Sequence, residues 1–269
     1  YMNPMASIWY GVDPLAEKYT TTGGYVYTLD NPIRMIDLDG RKWDESSVTQ
    51  KNGNVTINLT LTVAILNSSN KKFDLKKLGN VLSSQLQSSY GISYVEGMNY
   101  KNSVSQKGMD NLYVARTLPT KFRKVNVNVS VRFRVINNKS ELRDREHLLN
   151  ILPASQLRGI YGKVNKIGGS VVFLNERYVN NIINGKDRNT LPHEFGHSLG
   201  LLHVDGADAW FLGLFGRSQY YDSYKQERNR YNVMFSGANK YTDDYKSTDI
   251  NPEQISIILE NFRNNKVNR

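Results

Sequence analysis

The sequence predicts an α+β fold, and three observations carry the prediction. Two long stretches alternate apolar and polar residues with a period of two. Val55, Ile57, Leu59, Leu61, Val63 and Ile65 alternate with Thr56, Asn58, Thr60 and Thr62, and Val125, Val127, Val129, Val131, Phe133 and Val135 alternate with Asn126, Asn128, Ser130, Arg132 and Arg134. That period belongs to strands with one buried face. Two other stretches repeat at helical spacing: Leu75, Leu78, Leu82 and Leu86, and later Ile255, Ile258, Leu259 and Phe262. Third, a histidine-bearing segment, Thr190–Gly206, lies between the last strand signals and the last helix.

The elements follow in order. Residues 44–54 are polar and contain Gly53, a plausible boundary before the first long strand. After a loop at Ser68–Lys72, Asp74 is placed to cap the Leu-rich helix, which should end near Gly91. A short strand is expected at Ile92–Val95, followed by an irregular insertion to residue 123. Leu148–Leu152, Ile160–Lys166 and Val171–Leu174 read as further strands, the last two separated by Gly168-Gly169. Thr190 is a candidate cap for the histidine helix, and Pro192 suits its first turn. Asn251-Pro252-Glu253-Gln254 combines an N-cap, a proline at N1 and a Gln at N3 ahead of the final helix. The aromatic segment Ala207–Arg230, with Trp210, Phe211, Phe215, Tyr220, Tyr221 and Tyr224, suits either a hydrophobic subdomain core or an aromatic wall beside the histidines.

Composition narrows the function classes. The 269 residues suffice for one substantial domain with an appendage. No apolar run approaches the ~20 residues of a membrane helix, and no membrane span is expected. The chain has no cysteine, which excludes disulfides and thiolate metal ligands. Its formal net charge is +10. Lys121, Arg123, Lys124, Arg132 and Arg134 contribute to it, but they alternate with apolar positions and read as the solvent face of a strand rather than a nucleic-acid site.

The chemistry is concentrated in TLPHEFGHSLGLLHVDG. Three of the four histidines, His193, His197 and His203, fall within eleven residues. His193 and His197 are four apart, so on a helix they project from one face. Two imidazoles so placed can hold one ion, and Glu194 is left free to take a proton from water activated there. Gly200 can adopt the left-handed conformation that ends a helix and returns His203 to the same ion. Three imidazoles and one open position describe a catalytic zinc centre rather than a closed structural one. The fourth histidine, His147, reads as a strand-end or surface residue.

The string H-E-x-x-H-x-x-G-x-x-H resembles that of the metzincin zinc metallopeptidases. The resemblance implies a mixed, mostly parallel twisted sheet with a long helix behind it, an active-site helix, a Met-turn beneath the metal and a C-terminal helix. Met234, in Tyr231-Asn232-Val233-Met234-Phe235-Ser236-Gly237, is the residue for that turn. Val204, after the third histidine, matches none of the astacin, serralysin, adamalysin or matrixin patterns, and Ser236 stands where some metzincins carry a ligating Tyr.

Residues 1–43 differ in character, being dense in turn pairs: Asn3-Pro4, Asp13-Pro14, Gly23-Gly24, Asn31-Pro32 and Asp39-Gly40. Asp13–Tyr19, Asn31–Ile33 and Asp37–Arg41 resemble the closing segment of the RHS repeat-associated core of large bacterial shell-forming proteins. Leu38 stands where that family usually has Pro. The resemblance implies a carrier segment, 1–43, ahead of a C-terminal effector, 44–269.

The reading is therefore a metzincin-type zinc endopeptidase acting on protein or peptide substrates. His193, His197 and His203 are its Zn2+ ligands, Glu194 its general base, and Gly200 and Met234 its structural residues. As an effector it would be monomeric, leave a bacterial cell within a larger carrier and be restrained at home by an immunity-type inhibitor. Residues from about 44 onward should fold without the first segment. Tyr231 and Tyr241 are candidate oxyanion donors. Two alternatives stand beside this reading: a non-enzymatic surface held by zinc, in which Glu194 would be dispensable, and a nucleic-acid-interacting effector, motivated by the basic balance.

Overall fold

The protein is described from a computed structural model. The described residues are 2–3, 8–9, 43–50, 52–103, 116–204, 231–235 and 248–268. The chain divides into two compact units, Tyr1–Arg41 and Lys42–Arg269. In the first, strand β1 (Met2–Asn3) pairs antiparallel with β2 (Ile8–Trp9). The segments that carry the carrier resemblance, 13–19, 31–33 and 37–41, lie outside the described residues.

The second unit is built on a seven-stranded mixed sheet. Its strands are β3 (Trp43–Thr49), β4 (Val55–Asn67), β5 (Ser93–Ser103), β6 (Arg116–Ile136), β7 (His147–Leu152), β8 (Gly162–Val164) and β9 (Val171–Asn175). The order is β5-β6-β4-β7-β9-β8, and the central β6, β4, β7 and β9 run parallel. The expected mixed sheet with a parallel centre is present. β4 is its axis. β6 accompanies it from Val55↔Val125 to Leu66↔Ile136, while β3 pairs antiparallel with its first half and β7 parallel with its second half.

The period-two pattern of β4 does what such a pattern dictates. Ile57, Leu59, Leu61, Val63 and Ile65 face the core, all at most 3% exposed. Beyond Val63 the alternation stops because both faces are covered. Ala64 and Leu66 join Ile136 and Leu148 in a second, smaller cluster, flanked by Leu142 and Val171.

Helix α1 (Leu75–Tyr90) covers the main face. The Asp74 carboxylate accepts from the Lys77 N–H at 2.8 Å, the expected cap, and Leu78, Leu82, Leu86 and Tyr90 are fully buried. Helices α2 (Val179–Ile183), α3 (Thr190–Ser198) and α4 (Pro252–Arg263) are the other α-helices among the described residues. At α4 the capping box forms as read, with Asn251 and Gln254 bonded reciprocally. None of the described helices is long and apolar enough to cross a membrane.

Three expectations need correction. The stretch after Val95 is not an irregular insertion: β5 continues to Ser103, in register with β6 from Ser93↔Asn126 to Ser103↔Arg116. This ribbon extends past the start of β4, and Val95 and Phe122 on it are exposed, so the period of a half-buried strand is not imposed there. Thr190 is the first residue of α3 rather than its cap. The Asp187 carboxylate accepts from the Asn189 and Thr190 N–H groups and from the Thr190 hydroxyl. His147 does start strand β7, but it is fully buried, with its ring against Trp43 and Phe195.

Trp43, which the sequence reading assigned to the leading segment, belongs to the second unit and is fully buried in its main core. Losing such a side chain typically costs about 3–5 kcal/mol. A chain starting at Lys42 should therefore unfold at clearly higher denaturant concentration than one starting at Asp44. Equal midpoints would mean that Trp43 contributes nothing to this core.

Candidate metal centre

Helix α3 brings His193 and His197 to one face, and the turn after it returns His203. The helix ends in the hydrogen-bond pattern of a left-handed stop. The Leu201 N–H donates to Gly196 O and the Gly200 N–H to His197 O, both at 3.0 Å, with Gly200 at φ +83°. A Cβ at Gly200 would also meet the Asn261 side-chain nitrogen at 2.5 Å, and that nitrogen donates to Leu199 O. Gly200 is thus required twice, by its φ and by close packing against α4.

The three histidines converge. His203 Nε2 lies 3.0 Å from His193 Nε2 and 3.2 Å from His197 Nε2. The opposite ring nitrogens decide what this means. His193 Nδ1 is 2.8 Å from Val233 O, and His197 Nδ1 is 2.8 Å from Leu201 O. A carbonyl can only accept, so both Nδ1 atoms carry their protons and, in the neutral rings, both Nε2 atoms present bare lone pairs. His203 Nε2 can donate to at most one of them. Lone pairs so gathered can share one cation. Tetrahedral zinc at about 2.0–2.1 Å from nitrogen sets its ligands about 3.3–3.4 Å apart, close to the two spacings that His203 makes, and all three donor atoms lie within 4.8 Å of one another. The residues therefore fit zinc, and the carbonyls of Val233 and Leu201 fix the two rings in the manner usual for metal-bound histidine.

Met234 is fully buried in the turn 231–235, and a Cβ on Gly196, midway along α3, would overlap its sulfur. The turn is pinned from several sides. Met234 N–H donates to Asn232 Oδ1, Val204 N–H donates to Met234 O, and the Asn232 and Gln254 amides exchange two hydrogen bonds, at 2.8 and 3.0 Å. Asn189 Nδ2 also reaches Val233 O at 3.3 Å. Gln254 thus both caps α4 and holds the turn that orients His193.

Glu194 lies in a buried site, 7% exposed, against β8. Burial pushes its carboxyl up to about 8, and a hydrogen bond from the Val164 N–H acts in the opposite direction. Gly162 makes this placement possible, since a Cβ there would stand 2.9 Å from Glu194 Cγ. The sequence reading did not single out Gly162. An isolated glycine inside a strand signal is the available cue, because it often marks a close approach. Nothing in the sequence marks the Val164 N–H.

β8 is the sheet's edge and pairs antiparallel with β9. Its ladder bonds fall at Tyr161 and Asn165, whose partners are Asn175 and Val171. By the alternation of an antiparallel ladder, the backbone groups of Gly162 and Val164 face outward, toward the side where Glu194 lies. Of the basic residues on β6, Arg123 pairs with Glu96 and Arg134 with Glu146, each at 2.6 Å. Tyr231 is half-exposed at the turn, whereas Tyr241, Ser236 and the aromatic segment 207–230 lie outside the described residues.

No protein-family model matches this sequence, and no curated protein matches it. Among solved structures the chain is similar to the crystal structure of archaemetzincin from Methanopyrus kandleri, with a TM-score of 0.37 and 12% identity, covering 75% of this chain and 95% of that one.

Proposed function

We propose that residues 42–269 form a zinc-dependent endopeptidase. One observation carries the reading: the lone pairs of His193 and His197 meet His203 Nε2, while the carboxyl of the residue between them lies buried beside an edge strand. Zinc held by the three Nε2 atoms supplies Lewis-acid polarisation of a carbonyl and of water. The protein's own groups do the rest. Glu194 accepts the proton of the attacking water on a carboxylate oxygen and returns it to the nitrogen of the leaving amine. The outward backbone of β8 aligns an extended peptide beside it. The upstream unit is read, from its sequence resemblance alone, as the end of a bacterial RHS-type carrier, with an inhibitor made by the producing cell.

The purified chain should hold about one zinc per molecule and cleave an unfolded protein substrate. A strong chelator should abolish cleavage and zinc should restore it. A metal-replete chain without hydrolytic activity would leave zinc a structural role. The edge has its own test. Gly162→Ala adds a methyl against Glu194, whereas Gly162→Pro adds similar bulk and also removes an outward N–H. KM for peptides should rise further in the proline variant than in the alanine variant. Equal KM values would place the substrate elsewhere.

A further inference from the structure

The last turn of α3, which carries His197, is held from behind by residues remote in sequence. Ser198 is fully buried, its hydroxyl donating to Phe195 O at 2.7 Å and accepting from Trp43 Nε1 at 2.9 Å. The Trp43 indole also meets the Phe195 ring edge-on, with centroids 6.3 Å apart. Trp43 is in turn gripped by its backbone. Its N–H donates to Asn268 Oδ1 at 2.7 Å, and Asn268 Nδ2 donates to its carbonyl at 2.9 Å. Asn268 sits at φ +66°, a conformation that Asn tolerates better than most residues. The same C-terminal tail touches the helix by a second route. Lys266 O lies against Gly168, at φ +71°, and the Gly168 N–H donates to His197 O at 2.8 Å. Val267, between these two contacts, is buried in the main core.

We infer that Trp43, clamped by Asn268, is a positioning residue for the metal centre: its indole N–H sets the last turn of α3 and thereby the place of His197 Nε2. The inference rests on the zinc reading above. Its chemistry is specific. Only an N–H at the indole edge satisfies Ser198 Oγ while leaving the hydroxyl proton on Phe195 O. A phenyl ring has no such N–H and would leave the Ser198 hydroxyl free to turn. His197 follows within the same turn of helix, and a shift of a few tenths of an ångström matters where three nitrogens must share one ion. Residues that orient metal ligands typically change metal affinity about 10–100-fold when altered.

The test uses the full chain, with zinc affinity measured by competition with a chromophoric chelator and the Tm of the metal-free proteins recorded in parallel. Trp43→Phe and Ser198→Ala should each weaken zinc binding about tenfold. The double variant should be little weaker than either single one, because both remove the same hydrogen bond. The losses of affinity should not track the changes in metal-free Tm across the variants. Asn268→Ala should weaken zinc binding in the same direction. Wild-type affinity in Trp43→Phe, or losses that add and track the metal-free Tm, would overturn the inference. If Trp43→Phe does not fold, Ser198→Ala decides by the same readings. A wild-type chain that takes up no zinc would instead overturn the zinc reading and this inference with it.

Discussion

Glu194→Gln should leave zinc content and fold intact while lowering peptide hydrolysis by about 10²–10⁴-fold, the usual cost of removing a general base. The amide keeps the shape of the side chain and can still accept from the Val164 N–H, so a defect in packing does not account for the loss. Glu194 contributes no nitrogen to the three-histidine cluster, and metal affinity should therefore survive. Hydrolysis at the wild-type rate in a metal-replete Gln variant would end the proposed mechanism. The substitution has a second consequence in chelator-treated protein. The buried carboxyl titrates near 8, against 4.5 when unperturbed. Between those values the folded state binds more protons than the unfolded state, so this group makes stability fall as pH rises through the window and contributes nothing below it. Glu194→Gln should flatten that part of the pH–stability profile. An unchanged slope would mean that the carboxyl is not desolvated as described.

What the sequence displayed and what it concealed divide along physical lines. The long strands, the Leu-rich helix and the final capping box were legible because each obeys a local rule over many residues: β4 alternates while one face is covered, α1 repeats Leu at helical spacing behind Asp74, and Asn251 lies three residues before Gln254. The histidine cluster was legible because spacing on a helix fixes geometry. The failures occur where a third element intervenes. Asp187 takes the capping role at α3 from outside the helix, and the β5–β6 ribbon runs past the start of β4, with Val95 and Phe122 exposed. His147 is buried because Trp43 and Phe195 close over it, contacts made from two distant places in the chain and across the helix–sheet interface. The site shows the same division. Its three histidines stand in one motif, whereas the groups that set its shape, the Val164 N–H and Gly162, Tyr90 and Gln254, come from three other places in the chain.

Gly196→Ala gives the sharpest test of the packing beneath the metal helix, because two effects of opposite sign compete there. In a helix interior alanine is favoured over glycine by about 1 kcal/mol. Against this, the added methyl would overlap Met234 Sδ and come within 2.5 Å of the Tyr90 hydroxyl oxygen. Neither neighbour is free to withdraw. Tyr90 is fully buried and its hydroxyl donates to Pro192 O at 2.8 Å. Met234 is fully buried and its backbone is bonded to Asn232 and Val204. Overpacking of this kind typically costs about 1–3 kcal/mol, occasionally more, so it should outweigh the propensity gain. The net loss should lower Tm by several degrees, at about 2–4 °C per kcal/mol for a domain of this size. Zinc affinity should fall with it, since pushing Met234 away moves Val233, whose carbonyl holds His193 Nδ1. The decisive step is a change of background. With Met234→Ala and Tyr90→Phe already in place, both obstructing atoms are gone and only the propensity remains, so Gly196→Ala should become neutral or stabilising by up to about 1 kcal/mol. A stabilising Gly196→Ala in the otherwise unaltered chain, or a loss of equal size in both backgrounds, would mean that Met234 does not lie beneath the metal helix.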